Sequence, residues 1–198
     1  GIAAVLDTHD SFKQHIEDTL KAGSFHNDRK AVEIMVRQAP ARIHELIRLG
    51  VGFNRDEGKL CLTQEGGHSR RRIANAKDTT GREIERALIH NIHHNPRIQT
   101  FESHVAFDLV VSRGACRGAL IYEDTKKRIL TFYAKATILA TGGAGQIYAR
   151  NSNPKITTGD GIAMAHRAGA DIRDMEFVQF HPTALAKKGK PAFLISET

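Results

Sequence analysis

Residues 138–161 read ILATGGAGQIYARNSNPKITTGDG. The apolar run Ile138-Leu139-Ala140 enters Gly142-Gly143, a polar loop follows, and Asp160-Gly161 opens a run of small residues. A strand that ends in glycines and leads to a helix is how α/β proteins bring backbone N–H groups and a positive helix end to a phosphate. The glycines alone are a weak signal. Gly143, Ala144 and Gly145 are followed by Gln146, Ile147 and Tyr148, so a tyrosine stands where GxGxxG needs its third glycine. Two readings stay open for the glycines, a turn after a core strand or a phosphate cradle. Two also stay open for Asp160, a helix cap or a carboxylate that accepts from a ribose or ribitol hydroxyl.

Downstream, MEFVQFHPTAL (175–185) puts Gln179, His181 and Thr183 on alternate positions, hence on one face of an extended chain. Pro182 disfavours helix at His181, which reads either as a hydrogen-bonded structural group or as a ligand with polar neighbours. Upstream, the spacing of Phe12, Ile16 and Leu20 predicts a helix over 10–22. A second helix is expected from Asp28 to Pro40, where the ring should end or kink it, and a third through Ile43, Leu46 and Ile47. GFNRDEGKLCLT (52–63) reads as two short strands around a turn. Thr80 and Glu83 have capping-box spacing at the head of another helix. After Pro96 the period changes to two. IQTFES, HVAFDLVVS, CRGALIYED and RILTFYAKATILAT are successive strand candidates, the middle ones forming an antiparallel meander. Mixed helix and strand around this meander indicates an α/β fold with a small antiparallel sheet.

Composition narrows the class. The chain has 198 residues, a net charge of +7 and a pI near 9.6. No apolar run approaches the ~18 residues of a membrane span, and no charged-then-apolar leader is visible. Cys61 and Cys116 lie far apart without metal spacing, which fits a reducing compartment; a cytoplasmic location is expected. A basic balance suits nucleic acid, yet outside HSRRR (68–72) the basic residues are mixed with acids and have no aromatic platform. The same balance steers small dianions toward an enzyme. Arg70–Arg72 read as a surface run, with the alternative that one guanidinium faces a carboxylate substrate. His90 and His94 have metal-like spacing but no Glu between them, and read as a solvated helix end; no metal is expected.

Taken together, GIAAV (1–5), EGGHSRRRIANAKDTTGRE (65–83), ILATGGAGQIY (138–148), NSNPKITTGDGIAMAHRAGA (151–170) and DMEFVQFHPTAL with FLISE (174–185, 193–197) resemble the succinate dehydrogenase and fumarate reductase flavoprotein family, most closely its L-aspartate oxidase branch. The likeness runs over nearly the whole chain. It implies a partial FAD-binding, Rossmann-like domain over 1–174, with the GxGxxG unit lying before Gly1, and the start of a substrate-capping domain over 175–198. It implies FAD as cofactor, with Gly1 at the loop near the flavin ring, Val105 and Ala106 at the adenine end, and Gly142, Gly143 and Asp160 as further contacts. Glu65 resembles the acidic residue that orients the substrate near its amino group. His181 and Ser196 match the groups that bind the two carboxylates, Gln179 stands beside His181, and Ser196 replaces the more usual threonine. The implied activity is FAD-dependent oxidation of L-aspartate to iminoaspartate in NAD biosynthesis, with quinolinate synthase consuming the product. Succinate or fumarate chemistry is the close alternative, and a basic nucleic-acid-binding module the distant one. The family's catalytic arginine is expected beyond Thr198, so this stretch alone should bind FAD poorly and turn over nothing.

Overall fold

Ser11 accepts a hydrogen bond from the Gln14 amide at 3.2 Å and starts helix α1, Phe12–Ala22. Asp28 accepts from the amides of Lys30 and Ala31 and starts α2, Arg29–Arg48. The two helices pack through Ile16 and Leu20 on one and Val32 and Val36 on the other. This computed structural model describes residues 1–76, 79–180, 183–185 and 193–194. They divide into two units, one from Gly1 to Gln99 and one from Thr100 onward.

In the first unit the expected break at Pro40 does not occur, and α2 runs through it. Val36 and Ile43, both fully buried, lie seven residues apart on one face, so the apolar stripe continues across the proline. That continuous burial outweighs a missing N–H that costs about 3 kcal/mol. Strands β1 (Ile2–Ala3), β4 (Leu62–Thr63) and β5 (Ile73–Ala74) form an antiparallel sheet with β5 in the middle, Ile2 and Leu62 both standing opposite Ala74. Between them, β2 (Arg55–Asp56) and β3 (Lys59–Leu60) make the expected hairpin, turning through Glu57 and Gly58 at φ 46° and 83°. Ala4, Ile43, Val51, Phe53, Ala74 and Ala87 form the core of this unit.

Helix α3 spans Thr80–His93, capped by Thr79 rather than Thr80. The shift of one residue removes the capping-box register. Thr80 Oγ1 instead accepts from the Ala76 amide, and Glu83 accepts from the Gly52 amide at 2.8 Å and pairs with Arg86. His94 closes the helix, its ring 2.7 Å from the His90 carbonyl, as a solvated end.

The second unit is built on the meander β6 (His104–Ser112), β7 (Ala115–Glu123) and β8 (Arg128–Tyr133). Gly118, at φ 149°, lies against the Phe132 backbone, where a Cβ has no room. IQTFES does not form a strand; Phe101 packs edge-on to Phe132 at 4.8 Å instead. The long strand expected to reach Thr141 stops at Tyr133. Among the described residues no strand pairs with 134–141, and Ile138 is 89% exposed, so an apolar run without a ladder stays irregular. After a turn over Gly145–Ile147, helix α4 covers Asp160–Arg167. Strands β9 (Ala184–Leu185) and β10 (Phe193–Leu194) pair antiparallel within the segments expected to be extended. No helix among the described residues is long and apolar enough to cross a membrane.

Candidate active site

In the first unit, β1 and β5 bring Gly1 beside the turn that carries Glu65. A Cβ on Gly1 would stand 3.2 Å from the Ala74 carbonyl, collide with Ile73 and lie 3.5 Å from Glu65 Oε1. Only glycine fits there. Glu65 is exposed, and its carboxylate has no hydrogen-bond or ion-pair partner among the described residues. It is therefore free to receive a cation.

The turn itself is well anchored. The His68 amide donates to the Glu65 carbonyl at 3.2 Å, and Gln64 Nε2 donates to the His68 carbonyl at 2.7 Å. Beyond it lies a buried charge cluster that the sequence reading missed. Arg72 is not on the surface: its side chain is 0% exposed, it donates through Nε and Nη2 to both oxygens of Asp10 at 2.8 Å, and through Nη1 to Asp18 Oδ2 at 2.6 Å. Guanidinium did find carboxylates, but those of Asp18 in α1 and of Asp10, two residues before that helix. Burial pushes the Arg72 guanidinium down and its hydrogen bonds to Asp10 and Asp18 reverse this, leaving it above its ordinary value. Burial likewise pushes Asp18 up, but two hydrogen bonds from Ser69 and the Arg72 pair bring its carboxyl below the usual range. His15 is buried beside them, and its Nδ1 has no partner among the described residues. Burial above all, then the charges of Arg72 and His68, hold its pKa down at about 4 against the pull of Asp10 and Asp18.

In the second unit, the structure joins the two ends of the stretch at 138–161. The Gly159 amide donates to the Gly143 carbonyl at 3.2 Å, and the Gln146 amide to Thr157 at 3.0 Å. Gly142 has φ 74°, and nothing lies within 4 Å of where a Cβ on Gly143 would stand. Gly159, at φ 80°, is the N-cap of α4, so its first amides have no side-chain cap. Asp160 is the first residue of the helix rather than its cap, and its carboxylate accepts from Thr158 Oγ1 at 2.8 Å. Gly161 is buried directly against Thr141. Open glycines facing an uncapped helix start with an acidic side chain fit a dinucleotide: amides for phosphate, a carboxylate for a sugar hydroxyl.

Val105 and Ala106 pair with Tyr122 and Ile121 in the meander, just before a bulge at Phe107. The far end of α4 is tied there, Arg167 donating to the Phe107 carbonyl at 2.6 Å and to Asp108 at 3.2 Å. Gln179 lines a cavity of about 570 Å³ together with Ala144, Tyr148, Ile162 and Phe180. Tyr148 and Phe180 meet edge to face at 5.3 Å in its wall. His181 and Ser196 lie outside the described residues.

Comparison with known proteins agrees with this architecture. An L-aspartate oxidase from Nicotiana tabacum (2-b, chloroplastic) is 47% identical over all of this chain and 32% of its own length. L-Aspartate oxidases from Synechocystis sp. and Nostoc sp. are 47% and 48% identical over the whole chain, covering 36% and 34% of those proteins. The chain thus spans about a third of the length of the curated relatives it matches. Among solved structures, the FrdA chain of E. coli quinol fumarate reductase superposes with a TM-score of 0.93 at 34% identity, over 99% of this chain and 33% of that one. Mycobacterium smegmatis Sdh1 in complex with UQ1 superposes with a TM-score of 0.90, also at 34% identity, over 100% and 36%. The FAD binding domain family matches residues 1–198. With glycines and a helix start suited to a dinucleotide, and that match from end to end, the chain belongs to the FAD binding domain family, and its cofactor is FAD.

Proposed function

We propose that this chain is part of an FAD-dependent L-aspartate oxidase, which converts L-aspartate to iminoaspartate in NAD biosynthesis. The observation that carries the reading is the identity of 42–48% to proteins named L-aspartate oxidase over the full chain, against 34–35% to two fumarate reductases that superpose with a TM-score of 0.93. A proton and a hydride leave adjacent atoms of the substrate. FAD, when bound, supplies the hydride acceptor. The protein's task is then to place a dicarboxylate with its reacting bond in position.

Glu65, exposed and unpaired next to Gly1, is suited to hold the substrate ammonium. By resemblance, His181 and Ser196 hold the two carboxylates, and Gln179 supports the same subsite from the wall of its cavity. Gly1 adjoins the flavin ring, Gly142, Gly143 and Asp160 hold the dinucleotide, and Val105 and Ala106 offer backbone at its adenine end. We assign 1–174 to the FAD-binding domain and 175–198 to the start of a capping domain. We place the enzyme in the cytoplasm, with quinolinate synthase consuming its product.

Succinate or fumarate chemistry is the second reading, favoured by the fumarate reductase superposition with a TM-score of 0.93. Kinetics of the full-length flavoprotein with L-aspartate and with succinate separate the two. Glu65→Gln should lower the preference for L-aspartate over succinate about tenfold, the effect of one charge-assisted hydrogen bond. Unchanged kinetics with both substrates would remove Glu65 from the site, and a wild type that prefers succinate would overturn the aspartate reading.

A further inference from the structure

Glu65 has no side-chain partner among the described residues, so nothing holds its carboxylate except the backbone of the turn. The far end of that turn is bolted to α1. Both the amide and the hydroxyl of Ser69 donate to Asp18 Oδ2, at 3.0 and 2.6 Å, and the same oxygen accepts from Arg72 Nη1. His68, inside the turn, has Nδ1 3.5 Å from that same Arg72 nitrogen. Arg72 also fixes the other wall of the subsite, because its carbonyl accepts from the Ala4 amide at 2.9 Å, just beyond β1, and its own amide donates to the Thr63 carbonyl at 3.1 Å. One arginine thus links the strand that follows Gly1, the strand that leads into Glu65, and the helix that pins Ser69.

Resting on the aspartate reading above, we propose that Asp18 is a positioning residue: through Ser69 and Arg72 it holds the Glu65 turn so that the carboxylate meets the substrate ammonium. Asp18 touches neither substrate nor flavin in this role. Its effect is selective, because only a substrate with an ammonium uses Glu65. Without that anchor the Glu65 carboxylate still attracts a cation, but no longer at a fixed place. Loss of the anchor therefore weakens L-aspartate and spares succinate, which presents the same two carboxylates without the amine.

The test uses the full-length flavoprotein carrying Ser69→Ala, the milder change, and Asp18→Asn. The KM for L-aspartate should rise about tenfold in Asp18→Asn and less in Ser69→Ala, the scale of losing hydrogen bonds to a charged group. Flavin content should stay at the wild-type level, and the succinate dissociation constant, read from the perturbation of flavin absorbance, should stay within about twofold, because the two carboxylate contacts remain. In a Glu65→Gln background, Asp18→Asn should add nothing to the L-aspartate KM. If both ligands weaken together, or if Asp18→Asn acts equally with and without Glu65, the role is merely structural and the proposal falls. An unaltered L-aspartate KM in both variants overturns it as well. A wild type that does not oxidise L-aspartate defeats the underlying reading, a result distinct from an active wild type whose variants behave alike.

Discussion

His15 offers a quantitative test of the buried cluster. The imidazole is 3% exposed, its Nδ1 has no partner among the described residues, and burial, followed by the charge of Arg72, lowers its pKa from 6.5 to about 4. The folded state therefore resists a proton that the unfolded state accepts. Stability from this source is fully present above the unfolded value of 6.5 and is lost as pH falls toward about 4. Between pH 7 and pH 5 the loss is about 2 kcal/mol, which is about 30-fold in an opening equilibrium. His15→Gln and His15→Leu cannot take up the proton and should remove this slope. Amide hydrogen exchange of α1 and α2 in the full-length protein, corrected for intrinsic rates, reads the local opening directly. Wild type should lose protection between the two pH values by that factor, and both variants should lose much less. Parallel losses in wild type and variants would refute the argument, since the proton would then be taken up elsewhere.

Two further outcomes follow from the packing. Gly161→Ala drives a methyl into Thr141, 2.9 Å from its Cβ and against its hydroxyl, so the helix start should separate from the glycine loop. At an overpacking cost of about 1–3 kcal/mol, flavin retention in the full-length protein should fall about tenfold, and Thr141→Gly in the same chain should restore it; undiminished flavin in the single variant would contradict the assigned contact. Pro40→Ala supplies α2 with the N–H it lacks inside the helix. It should raise stability by about 1–2 kcal/mol, the helix gain less the freer unfolded chain, and a lower melting temperature would show that the ring itself is needed for packing.

Elements written by local chemistry were legible. HVAFDLVVS marks β6 to the residue, the spacing of Phe12, Ile16 and Leu20 finds α1, and the Glu57-Gly58 turn sets the hairpin register. Where long-range packing competes with a local rule, the local rule loses. The α2 stripe carries through Pro40, and among the described residues the alternation at 134–141 finds no strand to pair with. Phe101 prefers the face of Phe132 to a place in a ladder. The candidate site divides along the same line. Gly143 and Asp160 stand in a strand–glycine–helix stretch with its own chemistry, whereas Gly1 and Glu65 are marked only by the family resemblance; the structure sets Gly1 beside Glu65 and Gly143 beside the start of α4. Arg72 with Asp10 and Asp18 had no such signature, because its partners lie more than fifty positions away and a triple arginine looks like solvated surface. Only the fold reveals that one of the three turns inward.

That inward turn constrains how the sequence can drift. A guanidinium cannot shed its proton to escape burial, so losing Arg72 strands the carboxylate of Asp10 in the interior, and losing Asp10 leaves the buried guanidinium with Asp18 alone. Arg72 and Asp10 should therefore be exchanged together, for an apolar pair of similar volume, at less cost than either is replaced alone.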